Sequence, residues 1–130
     1  MLIFGHDYFK IQPFYDISSI DAILKTPSHS TLYIDFDDQA LDIIEHCQLN
    51  NLPFALSVKN LREAIYAHNF NASYIITTRI LAPMIQKSAD TYLFDAKILS
   101  RIEDESEIEE LASLGIDGVI FPSGIVKGTP

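Results

Sequence analysis

A chain of 130 residues with 48% hydrophobic and 21% charged side chains has the composition of one globular domain, which excludes a largely disordered protein. The 18 acidic side chains outnumber the 9 basic ones and give a formal net charge of -9, so we expect neither nucleic acid nor an anionic membrane surface as a partner. The single cysteine and the lack of any apolar run near ~20 residues favour a reduced, cytoplasmic protein.

The first 16 residues are unusually rich in aromatic side chains. Leu2–Gly5 indicates a short strand, and Tyr8, Phe9, Phe14 and Tyr15 follow closely. These aromatics either form a flap that closes one end of the core or make an exposed patch that contacts a second subunit. The second interpretation predicts a homodimer through this segment.

The clearest element is the apolar run Leu32–Phe36, whose aliphatic and aromatic residues predict a buried strand. The positions after it form one apolar face of a helix that ends near Asn51, and Asp38 is the expected N-cap of that helix. In open α/β sheets ligands bind outside the carboxyl ends of the strands. Asp35, Asp37 and Asp38 should lie at such an end.

The strand and helix pattern repeats along the chain. Further apolar runs begin near residues 53, 73, 91 and 118, about twenty residues apart, with helical patterns between them. We therefore predict a single three-layer α/β domain over residues 1–130, with a mostly parallel sheet of five or six strands. A flavodoxin-like sandwich is the favoured architecture, and a half-barrel that completes itself by dimerising is the alternative. Residues 123–130 are expected to form a flexible tail.

The acidic residues after the first long strand are the leading candidates for a ligand site. Asp35 and Asp37 could hold magnesium, and Asp38, Ser57 and Lys59 could contact a bound phosphate group. The simpler interpretation is that acidic residues at a helix N-terminus stabilise the helix by ~0.3–1 kcal/mol without any ligand.

The segment Asp35-Phe36-Asp37 resembles the first motif of the haloacid dehalogenase superfamily, an apolar strand that ends in Asp-x-Asp. The resemblance implies a nucleophile at Asp35, an acid/base group at Asp37 and a phosphate-binding hydroxyl at Ser57. It also implies the family's lysine at Lys59 or Lys87 and its distal metal ligand at Asp95. The chain departs from the family at Gln39, where a threonine is usual, and Asp95 stands alone where an acidic pair is usual.

A second candidate site lies in the predicted strand Thr91–Leu99. Asp95 and Lys97 are separated by one residue, so both should face the same side of that strand. They could form a proton-transfer pair, a Schiff-base site or an ordinary salt bridge. The segments Phe94–Ile98 and Glu109–Ile120 resemble the closing units of phosphate-binding βα barrels, which supports the fold rather than an activity.

No complete catalytic motif is present in the sequence. There is no phosphate-binding P-loop, no Gly-x-Gly-x-x-Gly after a strand and no pair of histidines at ligand spacing. We therefore expect a non-catalytic binding or self-association module that needs no cofactor. The alternative is a magnesium-dependent enzyme or sensor for a small phosphorylated ligand.

Overall fold

The computed structural model describes residues 1–127 and alternates strands with helices along that part of the chain. The strands are β1 (Leu2–Phe4), β2 (Phe14–Asp16), β3 (Leu32–Asp35), β4 (Phe54–Ser57), β5 (Tyr74–Thr77), β6 (Lys97–Arg101), β7 (Gly118–Ile120) and β8 (Ile125–Lys127). The helices are α1 (Ile20–Ile23), α2 (Leu41–Leu49), α3 (Leu61–Asn69), α4 (Ala82–Thr91) and α5 (Glu107–Ser113).

The eight strands form one parallel sheet in the order β1-β7-β6-β5-β4-β3-β2-β8. The predicted α/β class and parallel sheet are therefore confirmed, but the sheet has eight strands rather than five or six. Four strands, β1, β2, β7 and β8, are only three residues long. The two strands that the sequence did not indicate, β2 and β8, are among them, and segments of that length are too short to show a clear alternation.

The short connection between β7 and β8 shows that the sheet is strongly curved. These strands stand six positions apart in the sheet, which would separate them by about 29 Å if the sheet were flat, at roughly 4.8 Å per strand. Only four residues lie between Ile120 and Ile125, and the five steps along the chain span at most ~18 Å. The sheet must therefore curl, and it does so in the manner of a half-barrel.

The helices cover one face of the sheet only. Helix residues such as Ile44, Ala64 and Ile85 share a core with the outward-facing strand residues Ile34 and Leu56. The favoured three-layer sandwich is therefore wrong, and the half-barrel-like alternative describes the fold. The physical reason is that β2 to β7 follow one another in a single direction across the sheet, and right-handed crossovers in one direction place every helix on the same side.

The inner face of the curled sheet has a core of its own, which we call the inner core. It is built from strand residues alone: Phe4, Phe14, Tyr33, Ala55, Ile76, Leu99 and Ile120. The ring of Phe14 lies 4.9 Å from that of Phe4 and 5.1 Å from that of Tyr74, measured between centroids. Side chains fill the interior, as they do in closed βα barrels.

Some of the N-terminal aromatic side chains are buried in the core and others are exposed, so each predicted location holds some of them. Phe14 is 1% exposed and belongs to the inner core, whereas Tyr8 is 82% exposed and Phe9 47% exposed. Of the four aromatics, Phe14 is thus buried in the core as part of β2, and a patch of exposed aromatics remains at Tyr8 and Phe9. The predicted contact with a second subunit stays a prediction.

Two predicted segments differ from the observed ones. The strand predicted over Thr91–Leu99 begins only at Lys97, because residues up to Thr91 belong to α4 and a turn follows. The segment predicted as a flexible tail, 123–130, contains β8, which pairs with β2, while residues 128–130 lie outside the described part. No helix within residues 1–127 is long and apolar enough to cross a membrane.

Candidate functional site

A cavity lies at the mouth of the curled sheet, where the strands end. Its volume is about 560 Å³, within the range of roughly 300–1,000 Å³ that small-molecule sites occupy. We call it the mouth cavity. Its charged lining residues are Asp16, Asp35, Arg79, Arg101, Glu103, Glu107 and Lys127.

Arg101 is the cation of this cavity that is anchored by neutral side chains. It ends β6, and its Nη2 donates a hydrogen bond to the hydroxyl of Tyr33 at 2.6 Å and another to Oγ of Ser57. Tyr33 is 6% exposed and Ser57 7% exposed, and they lie on the adjacent strands β3 and β4. The Tyr33 hydroxyl in turn donates to Oδ1 of Asp35 at 3.2 Å. The guanidinium is therefore held in one position before any ligand arrives.

The three cations of the mouth cavity differ in their carboxylate partners. Arg79 pairs with Glu107, with 3.5 Å between Nε and Oε1, and also with Glu110. Neither Arg101 nor Lys127 has a carboxylate of residues 1–127 within 4.0 Å. A partly buried charge is normally paired, and Arg101 is partly buried without a carboxylate partner in this part of the chain.

Asp16 is a carboxylate of this cavity without a hydrogen-bond donor. It ends β2, is partly buried and lies in register with Lys127 of β8. Its carboxylate accepts no hydrogen bond from any residue between 1 and 127. Burial, and then the nearby charge of Asp35, raise the pKa of Asp16 above its usual value, while Lys127 lowers it. The ionised carboxylate of Asp16 therefore lacks full compensation.

Asp35, Asp37 and Ser57 lie near one another, as the sequence indicated, but have different environments. Asp35 and Ser57 are direct neighbours in the β3–β4 register. Asp37 lines a smaller cavity of about 140 Å³ together with Asp16 and Asp35. Its Oδ1 accepts hydrogen bonds from the backbone N–H of Gln39 at 2.9 Å and of Ala40 at 3.0 Å. Asp37 thus caps the 3-10 turn before α2.

The N-cap predicted at Asp38 is therefore wrong by one residue. Asp38 is the first residue of the 3-10 turn Asp38–Ala40 and is exposed. Lys59 is also exposed, and its backbone N–H donates to Glu63 Oε1 at 2.9 Å at the start of α3. Neither residue lines the mouth cavity.

Asp95 and Lys97 lie at the opposite end of the sheet from the mouth. Lys97 is the first residue of β6 and Asp95 precedes that strand, and both are exposed. No salt bridge joins them within the described chain. The residues that the haloacid dehalogenase resemblance requires are therefore not assembled in one place.

Sequence reasoning missed Asp16, Tyr33, Arg101 and Lys127 as site residues. One signal was available: Arg101 is a charged residue that ends an apolar strand, as Asp35 does. Asp16 gave none, because β2 was not recognised. Lys127 gave none, because β8 was not recognised. The sequence indicated Tyr33 only as part of a buried strand.

The described part of the chain holds no group of three or more His, Cys, Asp or Glu side chains arranged to bind a metal ion. No protein-family model matches the chain, and no curated protein matches it. The site must therefore be interpreted from its own geometry.

Proposed function

We propose that this protein binds a small molecule through an acid group, a carboxylate or a phosphate, held by Arg101 in the mouth cavity. One observation carries the proposal: Arg101 is partly buried and anchored by Tyr33 and Ser57, yet has no carboxylate partner among residues 1–127. This assignment retains the small anionic ligand expected from the sequence and moves its contact from the acidic turn to Arg101.

The donor geometry of Arg101 supports this proposal. A guanidinium carries five N–H donors in a planar fork that matches a carboxylate or a phosphate. Both described hydrogen bonds of Arg101 start at Nη2, which leaves the donors on Nε and Nη1 for a ligand. Lys127 adds a second positive charge to the same cavity.

Substitution of Arg101 tests the proposal. We expect phosphate, or a short carboxylate such as acetate, to raise the melting temperature of the wild type and to bind measurably by calorimetry. Loss of a charged hydrogen bond costs about 1.5–3 kcal/mol, so Arg101→Gln should weaken binding by roughly 10- to 150-fold. Arg62→Gln removes an exposed arginine on α3 and should leave binding unchanged. Equal binding by the two variants contradicts the proposal.

We also propose self-association in a cytoplasmic setting as a second candidate function. The exposed side chains of Tyr8 and Phe9 favour it, because they stack near His6 in one cluster, with 4.7 Å between the centroids of His6 and Tyr8. We expect a dimer in light scattering that Tyr8→Ser together with Phe9→Ser converts to a monomer. Tyr92→Ser, at a side chain that is 70% exposed elsewhere, is the control. A wild type that is already a monomer rejects this function.

A further inference from the structure

The charge balance of the mouth cavity restricts the ligand. Four carboxylates, Asp16, Asp35, Glu103 and Glu107, face three cations, Arg79, Arg101 and Lys127. The lining therefore has a negative excess, and the whole chain carries a formal charge of -9. A ligand with only negative charge would increase the negative charge of the cavity, and the electrostatic field of the protein would oppose its approach. A ligand that also carries a positive charge would avoid both effects.

The cavity holds an acid-binding group and a pair of carboxylates, which we call its two poles. The acid-binding pole is Arg101, fixed by side chains of β3 and β4. The carboxylate pole is Asp16 and Asp35, which end the adjacent strands β2 and β3 and both line the cavity, and Asp35 accepts a hydrogen bond from the same Tyr33 hydroxyl that Arg101 contacts. The carboxylate of Asp16 accepts no hydrogen bond in the described chain, and its burial beside the charge of Asp35 favours a cation next to it.

We infer that the ligand is a small zwitterion of the amino-acid type, with its acid group on Arg101 and its protonated amine against Asp16 and Asp35. This inference rests on the proposed function and names the substrate class for the same cavity.

An ammonium group suits the carboxylate pole better than a hydroxyl group does. It brings three donors and a full positive charge, whereas a hydroxyl brings one donor and leaves the repulsion between Asp16 and Asp35 in place. Lys127 opposes Asp16 in the register, but its ammonium group does not come within 4.0 Å of a carboxylate of residues 1–127. The pole thus remains open to a ligand amine.

Calorimetry with ω-amino acids tests the inference. The probes are the unbranched ω-amino acids with three to six carbons, each compared with the plain carboxylate of equal length. We expect at least one amino acid to bind roughly tenfold or more tightly than its plain counterpart, because a charge-assisted contact is added. The best chain length measures the separation of the two poles.

Asp16→Asn supplies the sharper readout, because the two ligand classes should respond in opposite directions. The variant should bind the amino acid about tenfold more weakly. It should bind the plain carboxylate more tightly, since a repelling charge is removed. Asp95→Asn, at an exposed site at the other end of the sheet, is the matched control and should change neither.

The possible results separate the inference from the proposed function. If plain carboxylates bind as tightly as amino acids and Arg101→Gln weakens the binding of both, the inference of a zwitterionic ligand is rejected and the proposed acid-binding site is supported. If amino acids bind but Asp16→Asn behaves like Asp95→Asn, the carboxylate pole is rejected. If no probe binds to the wild type, both the inference and the proposed function fall.

Discussion

Asp35 and Asp37 are two residues apart, yet they have different roles. Asp35 ends β3 and faces the mouth cavity, where it accepts a hydrogen bond from Tyr33. Asp37 lies beyond the strand with an extended backbone, at φ -154° and ψ 179°, and its carboxylate caps the following turn. Residue type and spacing indicated a single acidic site here, but the end of the strand separates a residue that lines the cavity from a structural cap.

Asp16 should make the stability of the protein depend on pH. Burial and Asp35 raise its pKa in the folded state above the ordinary value of 3.8. The stability associated with this group is therefore fully present below that ordinary pKa and is lost as the pH rises through the folded pKa. We expect Asp16→Asn to raise the melting temperature at neutral pH and to lose this advantage below about pH 3.8. A lower melting temperature at neutral pH contradicts the argument.

At the scale of elements, the connection between β7 and β8 packs against the end of β1. The backbone N–H of Phe121 donates to the Phe4 carbonyl at 3.0 Å, and Ser123 Oγ donates to the Gly5 carbonyl at 2.6 Å. A Cβ on Gly5 would lie 2.5 Å from the backbone nitrogen of Gly124. The two chain segments can therefore pass only because glycine has no side chain.

Two glycine substitutions test this close approach. Gly5 and Gly115 both have positive φ, 81° and 76°, but a Cβ on Gly115 would have no atom within 4 Å. Gly115→Ala should cost only the backbone strain of about 1–2 kcal/mol. Gly5→Ala should cost about 1–3 kcal/mol more, because its methyl group overlaps the turn. Urea denaturation measures the free energy of unfolding of both variants. Equal losses of stability would show that Gly5 is not tightly packed against the turn.

Elements with a clear period were predictable and short ones were not. The apolar spacing of α2 and α3 and the uninterrupted runs of β3, β4 and β5 indicated these elements close to their observed bounds. The strand predicted from Thr91 was wrong because residues 92–96, between α4 and β6, are apolar enough to resemble the start of the strand. Apolar character alone does not distinguish a helix end from a strand.

At the scale of the whole molecule, the same strands support two cores. Tyr33 of β3 faces the inner core and its neighbour Ile34 faces the helices. Loss of packing on one face therefore removes support from the other, and we expect the domain to unfold as one cooperative unit.

Phe14→Ala tests this cooperativity from the inner core. Deleting a buried aromatic side chain costs about 3–5 kcal/mol, and Phe14 touches no helix of the outer layer in the described core clusters. We expect helix signal and tyrosine fluorescence to shift to lower urea by the same amount. Tyr92→Ala, at an exposed position, should shift neither. Helices that melt separately from the inner core would disprove a single cooperative unit.

The sequence by itself determined the alternation of strands and helices, the parallel sheet and the place of Asp35 at a strand end, because side-chain periodicity is a local property of the chain. Only the tertiary structure decided the strand order, the curvature and the composition of the mouth cavity. Arg101 meets Tyr33 across 68 residues and Ser57 across 44. Such contacts depend on which strands pair and in what register, and local sequence patterns do not determine either.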